Sequence, residues 1–86
     1  MSSQGVVGRF VQDGRLAIMP TKRAKRLLVL DHIALSFEPG RSYPEAEVNE
    51  ILLGFHDDYA ALRRYLVDEL FLTRDAGVYR RCGSTA

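Results

Sequence analysis

The sequence predicts a small α+β domain, three helices closed by a C-terminal β-hairpin and preceded by a short arm, on three observations. Residues 56–81, HDDYAALRRYLVDELFLTRDAGVYRR, carry a helical spacing that passes without a linker into two short β-prone stretches around a turn. Two more amphipathic stretches precede it, Lys22 to Phe37 and Pro44 to Phe55. Near the start, Asp13-Gly14 separates apolar runs, a hairpin signal because both residue types tolerate positive φ. Two helices joined by a tight link, the second leading at once into a hairpin, make a helix-turn-helix with a wing.

In chain order, residues 1–21 are the predicted arm or hairpin, with Val6 to Phe10 and Leu16 to Met19 flanking the turn and Met1 to Gly5 loose. Residues 22–81 form the winged-helix core and 82–86 a loose tail, so residues 1–86 make one domain. Thr21 suits an N-cap for the first helix. There Leu27, Leu30, Ile33, Ala34 and Phe37 repeat at helical spacing, with Leu28 and Leu35 widening the stripe, until Pro39-Gly40 stops it. Pro44, Glu45 and Glu47 suit a second helix start, with Ser42 or Tyr43 before it and Val48, Ile51, Leu52 and Phe55 as its apolar face. Asp57 and Asp58 suit the start of the third helix, whose row is Tyr59, Leu62, Leu66 and Leu70. Phe71 to Arg74 and Val78 to Arg81 are the predicted wing strands, with Asp75-Ala76-Gly77 between them.

Net charge is +1 over 86 residues, so electrostatic attraction to a partner must come from a local patch. The distribution is uneven, at +5 over residues 1–30, −6 over 31–58 and +2 over 59–86. Cys82 is the single cysteine, which excludes an intrachain disulfide and fits a reducing cytoplasm. No run approaches the 18 or so apolar residues of a membrane span, and the N-terminus has no apolar signal core, so neither spanning nor secretion is expected.

Arg63 and Arg64 fall off the apolar face of the third helix, and Ala60 and Val67 share their side of it. In a winged helix that side meets the major groove while the hairpin follows the backbone or minor groove. The candidate DNA-binding residues are therefore Arg63 and Arg64 on the helix and Arg74, Arg80 and Arg81 on the wing. Lys22, Arg23, Lys25 and Arg26 join them, because four cations at a helix N-terminus oppose its dipole and call for an anionic partner or a solvated surface. Arg63 or Arg64 has the fork that bonds guanine O6 and N7, whereas wing arginines suit phosphate. Asp57 and Asp58 oppose such contact unless they turn back as caps. Tyr79 is expected to pack in the core or across strands.

The alternative is a protein-docking face on the acidic second helix, through Glu45, Glu47, Glu50 and Asn49. Catalysis is not expected. His32 and His56 lie 24 positions apart with no HxxxH, HExxH or CxxC spacing, and no glycines form a phosphate loop, so neither metal nor cofactor is expected.

LRRYLVDELFLTRDAGVYRR is similar to the recognition helix and wing of bacterial ArsR-like regulators. More specifically, Asp13-Gly14-Arg15-Leu16, Gly40-Arg41, Glu47-Val48-Asn49, Asp57-Asp58-Tyr59, Leu62-Arg63-Arg64 and Leu66-Val67-Asp68 resemble a bacterial domain family of unknown function, over Phe10 to Arg81. Members of that family stand alone or follow an ArsR-type domain. The resemblance implies transcription-related work, as a DNA-binding regulator or an accessory module of one, but brings no catalytic or ligand residues. The chain departs from the family pattern at Pro44, where a capping threonine or serine is expected. Double-stranded DNA is the expected partner, with a protein partner and a homodimer left open.

Overall fold

In the computed structural model the described residues are Gly8 and 10–82. The order is β1 (Val11–Gln12), β2 (Arg15–Leu16), α1 (Arg23–Ala34), β3 (Ser42–Pro44), α2 (Glu45–Leu53), α3 (Tyr59–Asp68), β4 (Leu72–Asp75) and β5 (Val78–Arg81). The three helices pack with a three-stranded antiparallel sheet of order β3-β5-β4, and β1-β2 form a separate hairpin. Of the predicted loose ends, residues 1–5 and 83–86 lie outside the described residues, as do Val6, Val7 and Arg9 of the predicted first strand, whereas Cys82 of the predicted tail is held to the wing by its N–H donating to the Phe71 carbonyl at 2.9 Å.

The predicted Asp13-Gly14 turn is present, with φ of 53° and 77°. Its strands are shorter than expected, because Gly8 and Phe10 are helical and pairing begins at Val11. The hairpin is anchored on the end of α2. Leu16 is buried and its N–H donates to the Phe55 carbonyl at 2.6 Å, while Arg15 donates to the Leu53 carbonyl at 3.0 Å.

α1 starts one residue later than predicted, and Lys22, without a side-chain cap, replaces Thr21 as N-cap. The Lys22 carbonyl accepts the first helical bond, from the Arg26 N–H at 2.9 Å, and the Thr21 carbonyl accepts from the Arg26 side chain instead. α1 ends at Ala34 rather than Phe37. Leu35, Ser36 and Phe37 donate three residues back in a tighter turn, which leaves Leu35 62% exposed yet carries Phe37 inward. There Phe37 meets Tyr43 edge-on, with ring centroids 5.1 Å apart.

β3 is absent from the sequence prediction. Three residues ending in proline carry no alternation to detect, and Tyr43 is drawn into the sheet by pairing with Tyr79. Pro44 is tolerated because β3 is an edge strand. The same Pro44 is the N-cap of α2, so strand passes directly into helix, with Glu45 and Glu47 in the favourable first turn.

Asp58 caps α3 by accepting the Ala61 N–H at 3.3 Å. Leu62 and Leu66 are buried, but Leu70 is not the fourth member of the row: it is 72% exposed with φ of 64°. α3 has already ended. Leu70 donates to the Val67 carbonyl at 3.1 Å and Phe71 to the Leu66 carbonyl at 2.8 Å, a Schellman closure with leucine in the place glycine prefers. Left-handed backbone costs a leucine about 1–2 kcal/mol, so Leu70→Gly is expected to raise stability by up to about 1 kcal/mol, read as a higher melting temperature. The wing strands are shifted one residue along β4, leaving a two-residue turn at Ala76 and Gly77 with φ of 54° and 80°.

One core joins the hairpin, helices and sheet: Leu16 of β2, Val29, Leu30, Ile33 and Ala34 of α1, Phe37 beyond it, Tyr43 of β3, Val48 and Leu52 of α2, Leu62 and Leu66 of α3, Leu72 of β4 and Tyr79 of β5. Among the described residues no helix is long and apolar enough to cross a membrane.

Candidate nucleic-acid interface

Packing Leu62 and Leu66 inward leaves Ala60 and Arg64 exposed on the far side of α3 and puts Arg63 and Val67, both half-buried, on its flank. Strand alternation sets the other wall. Leu72 is in the core, so Arg74, two residues on, lies on the same sheet face, and it is paired across the ladder with the buried Tyr79. Helix and strand thus enclose an open groove of about 260 Å³, lined by Ala60, Arg63, Arg64, Val67, Asp68, Arg74 and Tyr79.

Two contacts fix this groove to α2. Arg63 is half-buried and donates through a guanidinium nitrogen to the Asn49 side-chain oxygen. The Tyr79 hydroxyl donates to Glu45 Oε1 at 2.8 Å. Glu45 and Asn49 are one helical turn apart, so one face of α2 holds both partners. Arg64 and Arg74 are exposed, and among the described residues neither makes a side-chain hydrogen bond or ion pair. Asp68 is the sole acid lining the groove.

Burial raises the Tyr79 pKa above 10.0, with the hydrogen bond to Glu45 adding to the shift. Because the unfolded tyrosine loses its proton first, stability is expected to fall as pH rises from about 10 toward the folded value. Tyr79→Phe is expected to remove that part of the alkaline loss, and to cost about 0.5–1.5 kcal/mol at neutral pH through the lost hydrogen bond; urea melts at several pH values measure both.

The remaining predicted cations lie elsewhere. Arg80 projects from the opposite sheet face and donates to Ser42 Oγ at 3.0 Å, while Arg81 donates to the Phe37 carbonyl at 3.3 Å. Arg23 forms a two-pronged pair with Glu69, at 2.6 and 3.1 Å, and this hydrogen bond holds the Glu69 carboxyl below its ordinary range. Arg26 lies over the Tyr65 ring, 4.8 Å from its centroid. These contacts to the C-terminal part of α3 offset the unfavourable dipole position of Arg23 and Arg26. Lys22 and Lys25 line a separate groove with Phe10, Ile18 and Met19.

The four candidates for protein docking are likewise divided. Glu45 and Asn49 face the arginine groove, Glu47 pairs with Arg41 at 2.9 Å, and Glu50 is exposed. The supporting roles of Glu45 and Asn49 were not foreseen from sequence; their four-residue spacing beside Val48 and Leu52 is the signal that points inward. The acids before α3 do turn back, since Asp58 caps the helix and Asp57 pairs with Arg15 at 3.0 Å. His56 accepts the Asp58 N–H at 2.9 Å and acts in this turn. Among the described residues no three His, Cys, Asp or Glu side chains gather as a metal site.

A family model described as an uncharacterized protein conserved in bacteria, DUF2087, matches residues 15–81. No curated protein and no solved structure matches the chain.

Proposed function

The chain belongs to that bacterial family, DUF2087, and we propose that it works as a winged-helix module binding double-stranded DNA, as a transcriptional regulator or an accessory part of one. The element order supports this reading: a helix, an edge strand, two helices in quick succession and a hairpin whose returning strand pairs with the edge strand. α2 and α3 are then the helix-turn-helix and β4-β5 the wing.

The observation that carries the proposal is the alignment of Arg63 and Arg64 on the outer side of α3 with Arg74 of the hairpin, around a single open groove. A chain of net charge +1 has little general attraction for nucleic acid. Three guanidiniums against Asp68 in the lining and the neighbouring Glu45 nevertheless leave this surface locally positive, which draws and orients a polyanion. Asp57 pairs with Arg15 and Asp58 caps α3, so both acids are engaged at the turn before the helix.

Titration of the purified chain with mixed-sequence duplex DNA at two salt concentrations tests the proposal. Binding is expected at low salt and should weaken as salt rises, because displaced counterions return to the phosphates. Absence of salt-sensitive binding at low ionic strength refutes it.

A further inference from the structure

We infer that the groove between α3 and the β4-β5 hairpin is a binding site for one phosphate group, which Arg63, Arg64 and Arg74 grip together, so that it positions a nucleic-acid backbone without reading bases. This rests on the DNA-binding reading for the source of the phosphate, a duplex backbone, but not for the chemistry of the site.

Three features of the groove point this way. Its three guanidinium-bearing residues, two from α3 and one from β4, line one open groove of about 260 Å³. Their charge is offset by only two carboxylates, Asp68 in the lining and Glu45, which accepts from Tyr79, so the groove keeps a net positive charge. An anion with several acceptor oxygens relieves that imbalance and uses the fork geometry of each guanidinium. Arg63 is also held back by Asn49 in a half-buried position, which orients it into the groove and keeps it from extending along a base edge. Asn49 is thus a positioning residue for the phosphate ligand.

Sharing one phosphate has a distinctive consequence. Replacing all three arginines by alanine removes one phosphate contact, so the slope of log affinity against log salt should fall by about 0.9; three separate phosphates would give about 2.7. Arg74→Ala alone should weaken binding about tenfold, the effect of one charge-assisted hydrogen bond, and by the same factor on two duplexes of unrelated sequence. Asn49→Ala should weaken binding to both duplexes equally, and Asn49→Gln should restore part of it.

The experiment measures these affinities and slopes, together with guanidinium Nε–H shifts of the wild-type and Arg74→Ala proteins titrated with inorganic pyrophosphate. Equal losses on both duplexes, a slope change near 0.9 and pyrophosphate shifts that vanish in Arg74→Ala support the inference. A change in sequence preference, a slope change near 2.7, or unaltered duplex affinity in Arg74→Ala overturns it while leaving DNA binding intact. If no duplex binds but pyrophosphate shifts all three arginines, the phosphate site stands and the DNA reading falls. Loss of both overturns the site.

Discussion

Replacing Leu66 with alanine is expected to lower stability by about 2–5 kcal/mol, the range for emptying a well-packed leucine site. Leu66 has no exposed surface, and it lies in the core that joins α3 to the other helices and the sheet. A domain of this length has roughly 4–13 kcal/mol in all, so the variant is left with a small margin. The melting temperature should fall by on the order of 10–30 °C. Leu70→Ala is the internal control: it belongs to the same sequence pattern but is exposed, and its loss should be small. A change under about 1 kcal/mol at Leu66 would contradict the packing that turns Arg63 and Arg64 outward.

The second large effect is on binding. Arg63→Ala combined with Arg64→Ala is expected to reduce affinity for mixed-sequence duplex by tenfold or more at low salt, through loss of charge-assisted hydrogen bonds. Because Arg74 still contacts the shared phosphate in this double variant, its salt slope should change by less than the value of about 0.9 expected when all three arginines are removed, and the gap from wild type should vary little with salt. Arg80→Ala provides the contrast, because its guanidinium lies on the far sheet face against Ser42 and outside the groove. It should change binding less than the helix pair does. Equal effects from both variants would place the nucleic acid across the whole wing, and unchanged binding in the double variant would remove α3 from the interface.

By itself the sequence determined the elements whose signals are local: three helices from repeats of three and four residues, two tight turns from Asp13-Gly14 and Ala76-Gly77, and the Asp58 cap. It also placed Arg63 and Arg64 off the face of the buried Leu62 and Leu66, since that relation follows from helix geometry alone. Contacts between distant segments left no such trace. β3 exists because Tyr43 meets Tyr79, 36 positions away, and Leu70 leaves the row because α3 closes before it. Only tertiary structure separated the nine candidate cations into three that share a groove and six that lie outside it, in ion pairs, against a ring or carbonyl, or around other surfaces. It likewise brought Glu45 and Asn49 into hydrogen bonds with Tyr79 and Arg63. The reason is the same in each case: periodicity tells which way a side chain leaves its own backbone, whereas its partner is chosen by how the elements pack.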